Sequence, residues 1–203
     1  LKRWDDGLQT QDLVYDNNDR IATLNGTSFT FDANGNTLVD DQNAYTWDLE
    51  DRMLTATGPG GTLANVYNGD GMRLASVADA VETQYTMDPV TAYYRVLEER
   101  DSTTGALNVQ YTYGHSLLRQ QRAGSPSFYL ADAAGSSRAL ASSIQAVTDA
   151  YAYEAFGPTL TTSGATQNPY LFVGEERLIG PLYNLRARLY HSNLARFTAR
   201  DPV

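Results

Sequence analysis

The oxygen-bearing side chains of Asp32, Asn34 and Asn36, in the stretch FTFDANGNTLVD, are the first in the chain whose spacing suggests chemistry. Oxygen ligands at alternate positions begin the calcium loop of an EF-hand, which also needs Gly at position 6 and a bidentate Glu at position 12. Counted from Asp32, those two positions hold Thr37 and Asn43. The ligand set is incomplete, so we expect no metal here and expect Asp32 to cap a turn through its own side chain.

The two histidines, His115 and His191, are the next candidates for acid–base chemistry. A Ser-His-Asp site needs a positioned nucleophile within reach of the base. No nucleophile elbow surrounds either histidine, so we predict that both are turn or surface residues without an acid–base role. The chain has no cysteine, which excludes disulfides and thiolate zinc sites. No cofactor is predicted.

Composition limits the function classes further. The 203 residues are 42% hydrophobic, which predicts one large folded domain or two small ones. A net charge of −9 argues against a protein that binds a nucleic-acid backbone. No apolar run reaches the ~20 residues of a membrane span. The opening LKRWDDGLQT lacks the features of a signal peptide, so we expect an internal part of a longer protein.

The elements that would position these residues repeat along the chain. An aromatic-Asp pair recurs at Tyr15-Asp16, Phe31-Asp32 and Trp47-Asp48, at intervals of 16 residues, and Tyr67-Asn68 follows after 20. Degenerate units follow near QYTMDPV, YTYGHSLL, FYLADAAGSSRAL and YAYEAFGPTL. Each unit is long enough for two strands of ~5 to 6 residues and two turns. The repeat therefore predicts one β-hairpin per unit.

Turn dipeptides and weak helical periodicity extend this prediction to the whole chain. Asn34-Gly35, Asn68-Gly69 and Asp70-Gly71 are dipeptides that tolerate positive φ in tight hairpins. No segment keeps an apolar stripe over a normal helix length. We predict an all-β fold of stacked antiparallel hairpins. Such a sheet would have two open edge strands, so we expect it to belong to a larger sheet or to be capped by a partner.

The aromatic-Asp units resemble the YD-repeat (RHS-repeat) family, and residues 128–203 resemble that family's RHS-repeat-associated core. The core motifs have counterparts at residues 135–138, 151–157, 168–174, 182–190 and 196–202. The resemblance is loosest between Asp88 and Tyr111. The family usually has Asp-Pro where this chain has His191-Ser192 and Gly where it has Ala195, which puts the local turn geometry in question.

The resemblance implies a curved strip of hairpins, part of a spiralling hollow shell around a C-terminal toxic domain. Residues 1–127 would be the YD-repeat strip, and residues 128–203 the core, cut just after its Asp-Pro motif. The implied partners are the rest of the shell, in the same chain or a partner subunit, and the enclosed toxin. The implied location is secreted or on the cell surface after bacterial export. At 203 residues the chain would be only part of a full shell.

The arginine-rich stretch LYNLRARLY alternates in polarity. If it is one strand, Tyr183, Leu185, Ala187 and Leu189 share one face and the arginines share the other. Two readings of the arginines stay open. They form an ordinary solvated basic face, or they pair bidentately with the Asp residues of neighbouring YD units.

Arg200-Asp201-Pro202 is the remaining candidate for chemistry. Members of the family cleave themselves shortly after this Asp-Pro, by a pair of carboxylates like that of an aspartic protease. Such a pair must be close enough to share a proton. The second carboxylate would lie beyond Val203, so we expect this sequence alone to be unable to cleave itself, with Arg200 and Asp201 as part of a site.

Three functions are therefore open: a structural shell segment, a self-processing protease that is incomplete here, and a carbohydrate-binding or adhesive module that displays its 14 tyrosines. Tyrosines that alternate with small residues are more often packed in a wall than exposed as a sugar platform. The shell segment is the function that the repeat favours.

Overall fold

A computed structural model describes residues 2–5, 9–90, 94–186 and 188–200, with the backbone alone described at 2–5, 9 and 10. Within these ranges the chain forms 22 β-strands and two single turns of 3-10 helix, at Phe172–Gly174 and Ser192–Leu194. No α-helix occurs among these residues. The predicted all-β fold is confirmed.

Three antiparallel sheets contain these strands, and in each sheet the strands lie in chain order. The first has four strands: β1 Lys2–Asp5, β2 Gln9–Tyr15, β3 Ile21–Leu24 and β4 Thr27–Ser28. The second has 14: β5 Thr30–Phe31, β6 Thr37–Val39, β7 Ala44–Trp47, β8 Met53–Gly58, β9 Gly61–Tyr67, β10 Arg73–Ala78, β11 Val81–Asp88, β12 Arg95–Asp101, β13 Leu107–Tyr113, β14 Leu117–Arg122, β15 Ser125–Ala131, β16 Ser137–Ala141, β17 Val147–Tyr153 and β18 Thr159–Ser163. The third has four: β19 Glu176–Ile179, β20 Leu182–Leu185, β21 Arg188–His191 and β22 Arg196–Phe197.

The first two sheets form one strip, because only Phe29 separates β4 from β5. In this strip each strand pairs with the next one along the chain, as stacked hairpins require, except that β4 and β5 belong to different sheets and are not paired with each other. The aromatic residues Tyr15, Phe31, Trp47 and Tyr67 each end a strand, so the repeat read from the sequence has the correct phase. The name strip is used below for residues 2–163, and plug sheet for β19 to β22.

The residue after each of these aromatics starts a turn of constant geometry, which recurs at Asp132 after Ala131 and at Glu154 after Tyr153. Its N–H donates to the carbonyl four residues on, and its own carbonyl accepts the N–H three residues on, in the units that begin at Asp16, Asp32, Asp48, Asn68, Asp132 and Glu154. The fourth residue of the turn always has positive φ: Asp19, Gly35, Asp51, Gly71, Gly135 and Gly157. Only a residue that tolerates the left-handed region fits there, which explains the recurring Gly and Asp.

Arginines just after several of these turns stack on the aromatic residue of a following strand. The guanidinium carbon lies 4.4 to 5.8 Å from the ring centroid in four such pairs: Arg20 with Phe31, Arg52 with Tyr67, Arg73 with Tyr85 and Arg138 with Tyr153. Arg95, at the start of β12, lies over the Tyr113 ring at 5.2 Å. Each cation–π contact contributes about 0.5–2 kcal/mol and joins one hairpin to the next. The arginines of the repeat therefore help to hold neighbouring hairpins of the strip together.

The strip packs against both faces of the plug sheet. In β20, Leu182 belongs to a buried cluster with Tyr45 and Met53, whereas the next residue, Tyr183, belongs to a cluster with Leu140 and Tyr151. Adjacent strand residues point to opposite faces of a sheet. In β21 the same division separates Leu189 from Tyr190. The early and late hairpins of the strip therefore lie on opposite sides of the plug sheet, which means that the strip curls around it.

The prediction of a single strand at LYNLRARLY is wrong. The stretch forms a hairpin, with β20 paired to β21 so that Leu185 lies opposite Arg188. Arg186 adopts φ of 64° in this turn, and Ala187 lies outside the described residues. The polarity of the residues alternates without a break through the turn, so periodicity alone did not reveal it. The turn changes which residues share a face, because Leu189 packs with Leu182 and not with Tyr183.

Candidate functional site

The C-terminal segment, residues 165–200, leaves the strip after β18 and fastens itself to the face that the plug sheet covers. The carbonyl of Gln167 accepts hydrogen bonds from Gln120 Nε2 at 2.8 Å and Arg122 Nε at 3.0 Å. The side-chain oxygen of Asn168 then accepts the Tyr129 hydroxyl at 2.8 Å. These strip side chains anchor the start of the segment to β14 and β15.

Gly135 and Gly174, two glycines of the core motifs, meet at the next contact between the C-terminal segment and the strip. A Cβ on Gly135 would lie 3.2 Å from the Val173 carbonyl oxygen, and one on Gly174 would lie 2.8 Å from the Gly135 carbonyl oxygen. Ser137 donates its N–H to Leu171 and its hydroxyl to the Tyr170 carbonyl, at 2.8 and 2.7 Å. Both glycines are required because the two backbones touch where the segment crosses β16.

An ion pair between Arg73 and Glu176 fixes the entry to the plug sheet. Arg73 Nη2 lies 2.5 Å from Glu176 Oε2, and the two side chains are 7% and 14% exposed. The guanidinium also lies 4.5 Å from the centre of the Tyr85 ring. Although burial alone lowers the pKa of Arg73, the charge of Glu176 raises it above its usual value. The pair joins residues 103 positions apart.

Asp40, Tyr45 and His191 form a second buried contact between the strip and the C-terminal segment. Asp40 and His191 are 2% and 3% exposed, and His191 Nε2 lies 3.5 Å from Asp40 Oδ2. The same carboxylate accepts the Tyr45 hydroxyl at 2.5 Å. Burial and then the Asp40 hydrogen bond raise the pKa of Tyr45, so its hydroxyl stays protonated.

A cavity of about 1200 Å³ remains between the strip and the C-terminal segment. Aromatic and charged side chains line it, among them Trp47, Tyr67, Arg95, Tyr113, Glu175 and Arg200. Burial raises the pKa of Glu175, an effect that the nearby Arg186 partly opposes from 2.9 Å. The cavity on the inside of the curl is therefore lined by both polar and apolar side chains.

Of the two predicted site residues, Arg200 lies at this cavity and Asp201 lies outside the described residues. The Arg200 side chain rests on Gly35, where its Nε would be 2.7 Å from an added Cβ. The segment thus ends beside the turn that begins at Asp32. The self-processing role of Arg200 and Asp201 stays a prediction.

Asp32 caps its turn as expected. Its Oδ1 accepts the Asn36 N–H at 2.8 Å and its Oδ2 accepts the Asn36 side-chain amide at 2.9 Å. Asp48 and Asp132 cap their own turns through two backbone N–H groups each. The shared geometry explains why the same residue type returns at each unit.

The two histidines have different environments. His115 is exposed in a bend, as predicted. His191 ends β21 and caps the following 3-10 turn, since its Nδ1 accepts the Leu194 N–H at 3.2 Å. It is also 3% exposed, so of the two predicted alternatives His191 is a turn residue and not a surface residue. It supplies the acceptor that an Asp at the same position would supply, and Ala195 adopts the left-handed conformation, φ 55°, that suits Gly.

The C-terminal arginines make contacts that neither sequence reading named. Arg186 pairs with Glu175 within the C-terminal segment, and Arg188 lies over the Phe197 ring at 3.6 Å. Arg196 stacks on Tyr15 at 4.8 Å and donates to the Asp19 carbonyl. The aspartates of the YD turns instead pair within their own unit, as Asp16 does with Arg20 and Asp48 with Arg52. The i, i+4 spacing of those pairs was visible in the sequence.

Two curated relatives align with nearly the whole chain, although no protein-family model matches it. It is 30% identical over 210 residues to the tRNA3(Ser)-specific nuclease WapA of Bacillus spizizenii, which covers 98% of this chain and 9% of that protein. The identity and both shares are the same for the tRNA nuclease WapA of Bacillus subtilis strain 168. The chain therefore spans about a tenth of the length of these relatives.

Solved structures share the fold. The structure of TcdB2-TccC3 without its hypervariable C-terminal region superposes with a TM-score of 0.70, at 17% identity, over 96% of this chain and 11% of that one. The Tc holotoxin pore of Photorhabdus luminescens gives a TM-score of 0.62, at 14% identity, over 96% of this chain and 12% of that one. No helix in the described ranges is long and apolar enough to span a membrane.

Proposed function

The chain belongs to the YD-repeat (RHS-repeat) family, and from that premise we propose that it is a wall segment of a hollow β shell that encloses and helps deliver a C-terminal toxic domain. The observation that carries this proposal is the plug sheet packed inside the curl of the strip. The C-terminal segment, which leaves the strip after β18 and reaches Arg200, runs along the inside of the curled strip. Sequence joined to its end would start on that side.

The composition of the wall supports a container rather than a binding module. Among the described residues, Tyr94 is the one tyrosine among the large exposed hydrophobic side chains, at 42%. The others pack in the wall clusters or are partly buried. The tRNA nuclease activity named for the relatives belongs to proteins of which this chain covers 9%, so we propose a wall here and assign no nuclease role.

Limited proteolysis tests the proposal on the longer protein that we expect to carry this chain. The region after Val203 should resist a protease that digests the same region produced alone. Leu182→Asp, which puts a charge in a position that is 1% exposed, should expose the region. Val66→Asp makes the same change at a position that is 50% exposed and should not. If the region after Val203 is digested at the same rate in the longer protein and on its own, the chain does not act as a container.

We further propose that the shell completes itself with neighbouring YD repeats, in the same protein or a partner subunit, and that export places it on the cell surface or outside the cell. Arg200 and Asp201 are proposed as part of a self-processing site whose second carboxylate lies further along. Arg200 supports this assignment because it lies at the inner cavity. The division into a strip at 1–127 and a core at 128–203 stays a prediction.

A further inference from the structure

We propose that His191 is an acid-sensitive latch, which holds the end of the C-terminal segment against the first hairpins while its ring is neutral and releases that end when the ring gains a proton. The latch consists of His191, the Leu194 N–H and Asp40. It acts within this chain, whether or not the chain encloses another domain.

The hydrogen bonds fix the tautomer of His191. Its Nδ1 accepts the Leu194 N–H at 3.2 Å, so this nitrogen carries no proton. The single proton of the neutral ring is then on Nε2, which faces Asp40 Oδ2 at 3.5 Å. Both ring nitrogens of a histidinium are donors. Protonation would therefore place an N–H against the Leu194 N–H and end the cap of the 3-10 turn.

Asp40 is poorly placed to compensate for that loss. Its carboxylate already accepts the N–H groups of Gln42 and Asn43, at 2.8 and 2.6 Å, and the Tyr45 hydroxyl. The 3.5 Å separation from His191 is longer than a normal hydrogen bond. The bonds that Asp40 makes within its own loop hold it there, so a new strong bond to the cationic ring would require that loop to move.

Two further charged residues in the described part of the chain neighbour the latch residues. Asp41 follows Asp40, and burial raises the pKa of Asp41. Arg196 lies opposite His191 in β22, with its guanidinium over Tyr15. Burial lowers the pKa of His191 by more than the charge of Asp40 raises it. The ring therefore stays neutral in the folded segment at a pH where an exposed histidine is already charged.

The sign of the pH effect follows from that depressed pKa. The released ring titrates at its ordinary pKa, ~6.5, and binds a proton that the docked ring refuses. The latch therefore contributes full stability above pH ~6.5, and that contribution is lost as the pH falls below it. At acidic pH the population of the released form therefore increases at the expense of the docked form.

Other contacts also hold the end of the segment to the first hairpins, among them the stacking of Arg196 on Tyr15 and its hydrogen bond to the Asp19 carbonyl. Thr37 donates its N–H and its hydroxyl to the Thr198 carbonyl, at 2.8 and 2.9 Å. Leu194 packs at the edge of the cluster of Ile21, Leu24 and Phe29. Release of the latch would free this end while Arg73 and Glu176 still hold the entry to the plug sheet.

Amide hydrogen exchange in the full 203-residue chain tests the latch. After correction for the intrinsic effect of pH, the opening of the Thr37 and Leu194 amides should increase up to about 30-fold from pH 7.5 to 5.0, as a released ring of pKa ~6.5 requires. Amides of β13 and β14 in the middle of the strip should change little. Protection of Thr37 and Leu194 that is constant or rises in acid would overturn the proposal.

Two variants separate the latch from general acid sensitivity. His191→Asn keeps an acceptor for the Leu194 N–H and cannot titrate, so its exchange at Thr37 should lose the pH dependence. His115→Asn changes the exposed histidine, and in this variant the exchange at Thr37 should keep its pH dependence. If His191→Asn does not fold, nitrogen NMR of the wild-type ring decides. A neutral ring protonated on Nε2 at pH 6 supports the latch, and a cationic ring with Thr37 still protected refutes it.

Discussion

Replacing Glu176 with Gln should weaken the docking of the plug sheet, because it leaves the charge of Arg73 buried without a counter-charge. Both side chains are largely buried, at 7% and 14% exposure, so water cannot take over the role of the carboxylate. Removal of one partner from a buried pair costs about 3–5 kcal/mol. For a chain of this length that loss lowers the melting temperature by on the order of 10 °C.

The size of this loss can be assigned by comparison with two further variants. Glu50→Gln makes the same chemical change in the pair with Arg52, where Glu50 is 63% exposed, and should cost less than about 1 kcal/mol. The double variant Arg73→Met/Glu176→Leu removes both charges, and apolar replacement of a buried pair is often neutral. It should therefore recover at least half of the loss, after allowance for the lost contact with Tyr85.

Urea unfolding followed by circular dichroism gives these free energies. The reasoning is refuted if Glu176→Gln costs no more than Glu50→Gln. It is also refuted if the double variant is as unstable as Glu176→Gln, since the buried charge would then not be the cause.

The other predictions concern single positions. Ala195→Gly should stabilise the chain by about 0.5–1 kcal/mol, because Ala195 has φ of 55°, and a lower midpoint in urea unfolding would contradict it. For Asp48, burial raises the pKa, but the backbone and Arg52 side-chain hydrogen bonds together lower it by more, so its contribution is present above pH ~4 and lost below it. Asp48→Asn should therefore flatten acid unfolding in that range, and an unchanged acid profile would count against this. In a chain extended past Val203, Asp201→Ala should abolish self-cleavage on gel electrophoresis, whereas cleavage that persists would remove Asp201 from the mechanism.

The strip was predictable because its signal is local. The aromatic residue, the Asp that caps the turn and the residue with positive φ three positions later lie in one short stretch, as Trp47, Asp48 and Asp51 show. Each unit therefore carries the information for its own hairpin. Spacing alone gave the strand order, since neighbouring hairpins pair in sequence.

The plug sheet was not predictable in the same way, because long-range contacts determine where it packs. Nothing in the sequence marks Glu176 as the partner of Arg73, or His191 as the neighbour of Asp40. The unbroken alternation of LYNLRARLY predicts one strand, whereas in the hairpin Arg188 lies opposite Leu185. The family resemblance identified the motifs that contain Gly135 and Gly174, but it did not indicate that the two backbones touch.

Side-chain nuclear Overhauser effects test most directly whether the strip curls around the plug sheet. In one sample, Leu182 or Leu189 should show contacts with the cluster of Tyr45 and Met53, and Tyr183 or Tyr190 should show contacts with Leu140 or Tyr151. Both sets are expected together, because adjacent residues of β20 and β21 face opposite sides. Contacts with only one of the two clusters would mean that the plug sheet lies on an open strip, which would contradict this account.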